Sequence, residues 1–240
     1  MTLQDWLEEK PFTLALSSGF FGFFAHTGVV KALEETGLKP IGYTGSSAGA
    51  IVAATGAAGF SAREIQDLIL GVRREDFWDP SIGLGFVRGR KFEKLLETNI
   101  GSSFATLQSS LQIATFDILK RQTKVFEAGA SLANLARVVR ASCAVPLMFH
   151  PVWIDGRFYW DGGILDKMAL SGLVDGARVF VHRLQGDLPF ESSNVLRSKF
   201  DLRSATLQNL PQSGPMKMHL GPEIVEVAYR QMKERLKQAL

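Results

Sequence analysis

The sequence predicts an α/β protein with a mostly parallel central sheet, and three observations lead there. Short apolar runs bounded by turn residues alternate with stretches of helical length over the first quarter of the chain. That is the pattern of strand–helix–strand units joined by right-handed crossovers. The pentapeptide Gly45-Ser46-Ser47-Ala48-Gly49 falls between one such strand and one such helix. The composition, 46% hydrophobic and 21% charged over 240 residues, suits a globular chain with a large core.

Taken in order, Phe12 to Leu16 reads as a short buried strand and Ser17 to Gly22 as a loop. A helix from about Ala25 to Glu35 carries Val29, Val30 and Leu33 on one face and stops at Gly37. Ile41–Thr44 is the next strand, and the small-residue run Ala48 to Ala58 the helix after it. Ser61 and Glu64 form a capping box for a helix with Ile65, Leu68 and Ile69 on one side. Asp79-Pro80 and Gly83 to Gly89 read as loop, and Lys91 to Glu97 as helix. Leu111–Ile118 and Thr123–Glu127 read as paired strands across the charged turn Lys120-Arg121-Gln122. A helix of about Ser131 to Ala141 cannot pass Pro146. Asp155-Gly156 between Val152–Ile154 and Phe158–Trp160 signals a two-residue hairpin. Arg178 to His182 is a further strand. Beyond Leu184 the chain is polar and turn-rich to about Pro222, and Glu223 to Gln238 forms a docked terminal helix. The expectation is one domain over residues 1–240, with a core of about 12–183 and an extension of about 184–240.

Composition also excludes. A net charge of +3 leaves no basic footprint for nucleic acid. A pI near 9.0 permits transient contact with an anionic membrane surface without demanding it. One cysteine, Cys143, rules out an intrachain disulfide and a cysteine-cluster metal site. No metal or cofactor is expected. The acidic start, with Asp5, Glu8 and Glu9, is unlike a signal peptide, so the expected location is the cytoplasm. The uncharged stretch Pro11 to Val30 has the length of a membrane span, but its proline, glycines and serines suit strand, loop and helix better. Oligomeric state is not legible.

A Gly-x-Ser-x-Gly turn between strand and helix is a nucleophile elbow. It would hold Ser47 exposed beside the positive end of a helix, with Gly45 and Gly49 clearing space around it. The pentapeptide also arises by chance in a chain with 23 glycines, and the flanking pattern is what argues for chemistry. A serine nucleophile needs a base. Among the acids, Asp161 follows a strand directly and precedes Gly162 and Gly163, which suits a turn that bares a side chain. The histidines are His26, His150, His182 and His219.

Four blocks in order give a resemblance to the patatin-like phospholipase family. They are Thr13 to Gly19 with Ala25 to Leu33, Gly45 to Gly49, Ala141 to Pro146, and Asp155-Gly156 through Asp161-Gly162-Gly163. The resemblance spans about Phe12 to Ala169. It implies a three-layer α/β/α patatin-like fold and a lipid acyl hydrolase, of phospholipase A or esterase type, acting through an acyl-enzyme. It implies a Ser47–Asp161 dyad rather than a triad. His26 is then structural, satisfied by backbone. The oxyanion would be held by backbone N–H groups of Ser18, Gly19 and Phe20, with help from Ala48.

The family's loop, Gly-Gly-Gly-x-Arg-Gly, is here Ser17-Ser18-Gly19-Phe20-Phe21-Gly22. In one register Phe21 replaces the arginine, and in the other Gly22 does. The family's Asn-Pro after the acid is also missing. Phe20, Phe21, Phe23 and Phe24 crowd this loop, either lining an acyl pocket or filling core. Two other readings stand beside the dyad. One is a conventional Ser-His-Asp hydrolase using His182, and the other a weakly catalytic lipid-binding or regulatory protein on the same scaffold. The Asp79–Arg90 loop is the candidate lid.

Overall fold

A computed structural model describes residues 1–127, 133–184 and 198–240. In chain order the elements are α1 (Leu3–Glu9), β1 (Thr13–Leu16), α2 (Phe23–Glu35), β2 (Gly42–Ser46), α3 (Ala48–Ala57) and α4 (Ala62–Gly71). The single turn α5 (Arg74–Phe77), β3 (Gly85–Val87), α6 (Arg90–Ile100), β4 (Ser110–Asp117), β5 (Gln122–Glu127) and α7 (Leu135–Ser142) follow. Then come β6 (Leu147–Phe149), β7 (Val152–Ile154), β8 (Arg157–Asp161), β9 (Arg178–Arg183), β10 (Asp201–Thr206) and a C-terminal helix (Gly221–Lys237).

The fold is mixed α/β with a mostly parallel central sheet, as the alternation of strands and helices predicts. Strands β10, β9, β1, β2 and β4 run parallel in that spatial order. Beyond them the sheet turns antiparallel. β5 pairs with β4 from Gln112 to Asp117, while β8 pairs with β4 from Thr115 to Asp117. A β residue has one neighbour on each side. Since β5 occupies one edge of β4, β2 and β8 must share the other, meeting end to end between Ala114 and Thr115.

Both faces of the sheet are covered. Leu14, Leu16 and Phe180 point into the larger core beneath α2, α3 and α7. Ala15, Val179 and Val181 point the other way, against Leu170, Phe200 and Leu202. This alternation is the period-2 pattern of a strand buried on both sides. Every residue of α3 is buried, and its alanines and glycines let it lie close on β1 and β2. The hairpin forms where expected, with Asp155 and Gly156 both at positive φ.

The structure adds what the sequence did not signal. α1 is capped by Thr2 and Asp5 and packs Trp6 and Leu7 inward. β3 lies inside the stretch read as loop, paired with β6. β10, an edge strand with only Leu202 and Ala205 buried, lies inside the stretch read as turn-rich. α6 extends from Arg90 to Ile100, beyond Lys91–Glu97. α7 begins at Leu135, capped by the Asn134 side chain; Ser131 and Leu132 lie outside the described residues. Pro11 to Val30 resolves into β1, a loop and the first turns of α2. Among the described residues no helix is long and apolar enough to cross a membrane.

The C-terminal helix docks on α2, burying Ile224, Val225, Ala228 and Met232. The two backbones touch at Gly28, where a Cβ would overlap the Val225 carbonyl and sit 2.8 Å from the Ala228 Cβ. Neither backbone has room to yield. Gly28→Val is therefore expected to cost about 1–3 kcal/mol by overpacking and to free the C-terminal helix. Urea denaturation and limited proteolysis would show a lower midpoint and early cleavage near the C-terminus; an unchanged midpoint would refute the contact.

Candidate active site

The turn after β2 is the strained element of the site. Ser47 adopts φ 53° and ψ −122°. That conformation is costly for a residue with a side chain and survives only where the surroundings impose it. They do so here. The Ser47 N–H donates to Ser142 Oγ at 2.8 Å, and the Ser142 hydroxyl donates to the Ala114 carbonyl at 2.7 Å. The Cys143 thiol donates to the Ser47 carbonyl at 3.1 Å. The end of α7 thus holds both backbone groups of Ser47. The block Ala141 to Pro146 was visible in the sequence, but nothing in its spacing disclosed this task.

Close approach explains the glycines. A Cβ on Gly49 would overlap the Leu16 carbonyl and lie 2.8 Å from the Ser17 carbonyl oxygen. A Cβ on Gly162 would overlap the Ala114 carbonyl and lie 2.8 Å from Ser46 Oγ. Gly45 and Gly163 are hemmed in likewise, by α3 backbone and by the Ser18 side chain.

Asp161 ends β8, and Thr115 opposite it on β4 neighbours Ala114, the partner of Ser46. The Ser47 hydroxyl donates to Asp161 Oδ2 at 2.6 Å, and the Gly163 N–H donates to Oδ1 at 2.7 Å. The carboxyl is buried, and burial raises its pKa from 3.8 to about 6 against the lowering effect of those two hydrogen bonds. The Cys143 thiol beside it is also raised, by burial and by the Asp161 charge.

The loop before α2 faces this pair. The Ser18 N–H is engaged, donating to the Lys167 carbonyl at 2.7 Å. No acceptor among the described residues takes the N–H of Gly19, Phe20 or Ala48. Of the three loop donors expected, two are therefore available, and the helix-start donor is a third. Phe21, at one of the two arginine registers, has φ 55°.

His26 and His182 form a buried pair, Nδ1 to Nδ1 at 2.7 Å. His26 Nε2 lies 2.8 Å from the Ser17 carbonyl and must donate to it. His26 Nδ1 therefore accepts from the His182 Nδ1–H, and His182 Nε2 is left buried without a partner among the described residues. Burial lowers the His26 pKa to about 4, and burial with the neighbouring His26 holds His182 well below its ordinary value. His26 is thus satisfied by backbone, as expected. Its partnership with His182 was not foreseen, and His182 hydrogen-bonds His26 rather than Ser47.

A cavity of about 390 Å³ opens at Ser47 and Asp161. Its walls include Phe21, Phe23, Ile51, Leu68, Phe92 and Phe149. No lysine, arginine or histidine lines it among the described residues, and Asp161 is its one carboxylate. Phe20, Phe21 and Phe23 are lining residues while Phe24 is core, so the phenylalanine cluster divides between the two roles. Trp78 and Val87 bring the Asp79–Arg90 region to the same wall.

A strand–elbow–helix unit joined to a buried carboxylate on a mostly parallel sheet defines the class. The family model for patatin-like phospholipase matches residues 14–174. The chain belongs to the patatin-like phospholipase family. It is 33% identical over 167 residues to an uncharacterized NTE family protein of Mycobacterium tuberculosis, covering 66% of this chain and 44% of that one. It is 29% identical over 185 residues to YqhO of Bacillus subtilis, covering 64% of each. The chain thus spans less than half the length of the mycobacterial relative. Among solved structures it is similar to VipD from Legionella pneumophila, with TM-score 0.65, 15% identity and coverage of 94% of this chain and 66% of that one. It is similar also to the type III effector ExoU of Pseudomonas aeruginosa, with TM-score 0.59, 16% identity and coverage of 95% and 53%. Those two likenesses concern the fold.

The raised pKa of Asp161 is a stability statement. The folded state binds this proton more tightly than the unfolded chain, so ionisation destabilises the fold as pH rises through the interval from 3.8 to about 6. Asp161→Asn removes that charge. It is expected to raise stability at pH 8 by about 1–3 kcal/mol, with the gain vanishing as pH falls towards 4. Thermal unfolding of both proteins across this range checks it; an equal difference at all pH values would contradict the assignment.

Proposed function

We propose that this protein is a lipid acyl hydrolase that cleaves carboxylic esters through a Ser47–Asp161 dyad. The observation that carries the reading is the 2.6 Å hydrogen bond from the Ser47 hydroxyl to a desolvated carboxylate at the mouth of an apolar cavity. A base with a pKa near 6 is ionised at neutral pH yet close enough to it to take a proton in the transition state. Asp161 accepts the Ser47 proton as Oγ attacks the ester carbonyl. The Gly19, Phe20 and Ala48 N–H groups receive the developing oxyanion, aided by the positive end of α3. Asp161 returns the proton to the leaving alkoxide, and the acyl group stays on Ser47. Water then attacks the acyl-enzyme with Asp161 again as base. No metal is required for these steps.

The cavity supports an acyl chain as the bound portion, since its walls are almost wholly apolar and carry no cation and, beyond Asp161, no carboxylate among the described residues. The reading as a conventional triad has less support, because His182 is committed to His26. The reading as a lipid-binding protein rests on the missing arginine, and the free loop N–H groups argue for catalysis instead.

A fluorophosphonate probe should label wild type and not Ser47→Ala. Hydrolysis of p-nitrophenyl esters should be lost in Ser47→Ala and should fall about 10²–10⁴-fold in Asp161→Asn. Labelling of Ser47→Ala would remove Ser47 from the reaction, and an inert wild type would leave lipid binding as the function. The carboxylate must be ionised to act, so kcat/KM should rise tenfold per pH unit up to about pH 6 and level off above it. A profile flat from pH 4.5 to 7 would dismiss Asp161 as the base.

A further inference from the structure

The wall of the cavity formed by β3 and β6 is one ribbon thick. On its inner side Val87, Met148 and Phe149 line the cavity. On its outer side lie Ile82, Leu84 and Phe86, all at least two-thirds exposed and none of them lining the cavity. The alternation follows from the strand itself: Gly85 and Val87 are buried and Phe86 between them is not. Residues 80 to 87 fold back as a tight loop, with Pro80 bridging Val87 and the Ser81 N–H donating to the Phe86 carbonyl at 3.0 Å. Gly83 packs against the His150 ring, closing the loop onto the end of β6. Ile82, Leu84 and Phe86 therefore share one ordered projection, not scattered positions on the surface. Patches of this kind mark interaction sites.

Charge says what the projection meets. Arg88, Arg90 and Lys91 follow it directly, and all three are exposed. None has a carboxylate within ion-pair distance among the described residues; Arg88 reaches Ser81 Oγ and Lys91 the Glu75 carbonyl. The nearby acid, Asp79, is occupied by the N–H groups of Gly89, Arg90 and Lys91 at the start of α6, at 2.7, 2.7 and 3.2 Å. A convex apolar tip with a cationic collar is the pattern of an interfacial anchor on an anionic lipid surface. The apolar surface is continuous with the cavity through the ribbon, and Phe20 and Ile164 line the cavity while remaining substantially exposed. A lipid surface at this face would deliver an acyl chain to Ser47 without carrying it through water.

We infer that the Ile82–Phe86 projection is a membrane-docking tip, and that Arg88, Arg90 and Lys91 select anionic lipid. The inference rests on the acyl-cavity reading above but does not depend on Ser47 being reactive. A tip of three cations should favour anionic over neutral bilayers by roughly 100-fold at low salt and lose that preference as salt rises.

The test is co-sedimentation of the full chain with phosphatidylcholine vesicles, with and without phosphatidylglycerol, beside hydrolysis of p-nitrophenyl butyrate in solution. Wild type should bind the anionic vesicles. Ile82→Asp/Phe86→Asp should lose binding to both kinds at least tenfold, and Arg88→Gln/Arg90→Gln/Lys91→Gln should lose only the anionic preference. Both variants should keep the wild-type melting temperature and hydrolyse the butyrate ester within about twofold of wild type. Vesicle binding by the aspartate variant equal to wild type overturns the proposal. So does a wild type that ignores both vesicles. So does a wild-type dimer on sedimentation that the aspartate variant dissolves, since a second copy would then cover this face. A wild type that binds anionic vesicles through the tip but leaves the ester intact supports the docking surface while rejecting the hydrolase.

Discussion

The hydrogen bond between Ser47 and Asp161 joins residues 114 apart in sequence, and it exists because β4 changes partner between Ala114 and Thr115. Parallel β2 ends at that point on one edge of β4, and antiparallel β8 arrives there from the opposite direction. Two strands entering one edge head to head bring their C-terminal residues into contact. The elbow and the acid turn are the two bends by which each strand leaves the sheet. The other features of the site serve this junction. Gly162 lets β8 turn over the Ala114 carbonyl, and Ser142 ties the Ser47 N–H to that same carbonyl.

Behind the loop, the two histidines act as a buried strut. The His26 Nε2–H fixes the Ser17 carbonyl, and the Ser17 hydroxyl accepts from the Leu184 N–H at 3.1 Å. The loop is held by its first residue, so Gly19 and Phe20 need not spend their N–H groups on anchoring. The strut has a pH dependence opposite to that of Asp161. In the folded state the imidazoles resist protonation, while the unfolded chain protonates them below 6.5. They therefore withdraw stability as pH falls from 6.5 towards 4, where ionised Asp161 restores it by taking its proton. The two effects oppose each other over nearly the same interval.

The parts legible in the sequence are local in origin. A two-residue Asp155-Gly156 turn can adopt few conformations, and Gly45 to Gly49 between an apolar run and a small-residue run has one sensible shape. The loop Ser17–Gly22 is legible as a block, but the engagement of the Ser18 N–H by Lys167 is not, because it depends on a contact between distant segments. The same holds for His182 on His26 and for Ser142 on Ser47. β10 is not legible in the sequence for another reason. An edge strand needs only one covered face, and Asp201–Thr206 offers two buried apolar residues in six. β3 is three residues long and owes its form to β6, so no window of its own sequence could declare it.

Absence of the family's loop arginine then has a consistent physical meaning. Whether Phe21 or Gly22 stands in its place, no cation among the described residues contributes to the Asp161 environment, and the causes acting on its pKa are burial and two hydrogen bonds. A guanidinium nearby would have favoured the charged form and held the carboxyl lower. With phenylalanines instead, desolvation meets no opposing charge, and the carboxyl rises to about 6 against the two hydrogen bonds. The same loop supplies Phe20 and Phe21 to the cavity wall, meeting edge to face with ring centres 4.9 Å apart. Losing the charge thus raises the proton affinity of the Asp161 carboxyl and makes the cavity more apolar at once. A desolvated carboxyl and an aromatic-lined wall reinforce each other, since each depends on keeping water and ions away from the same few ångströms around Ser47.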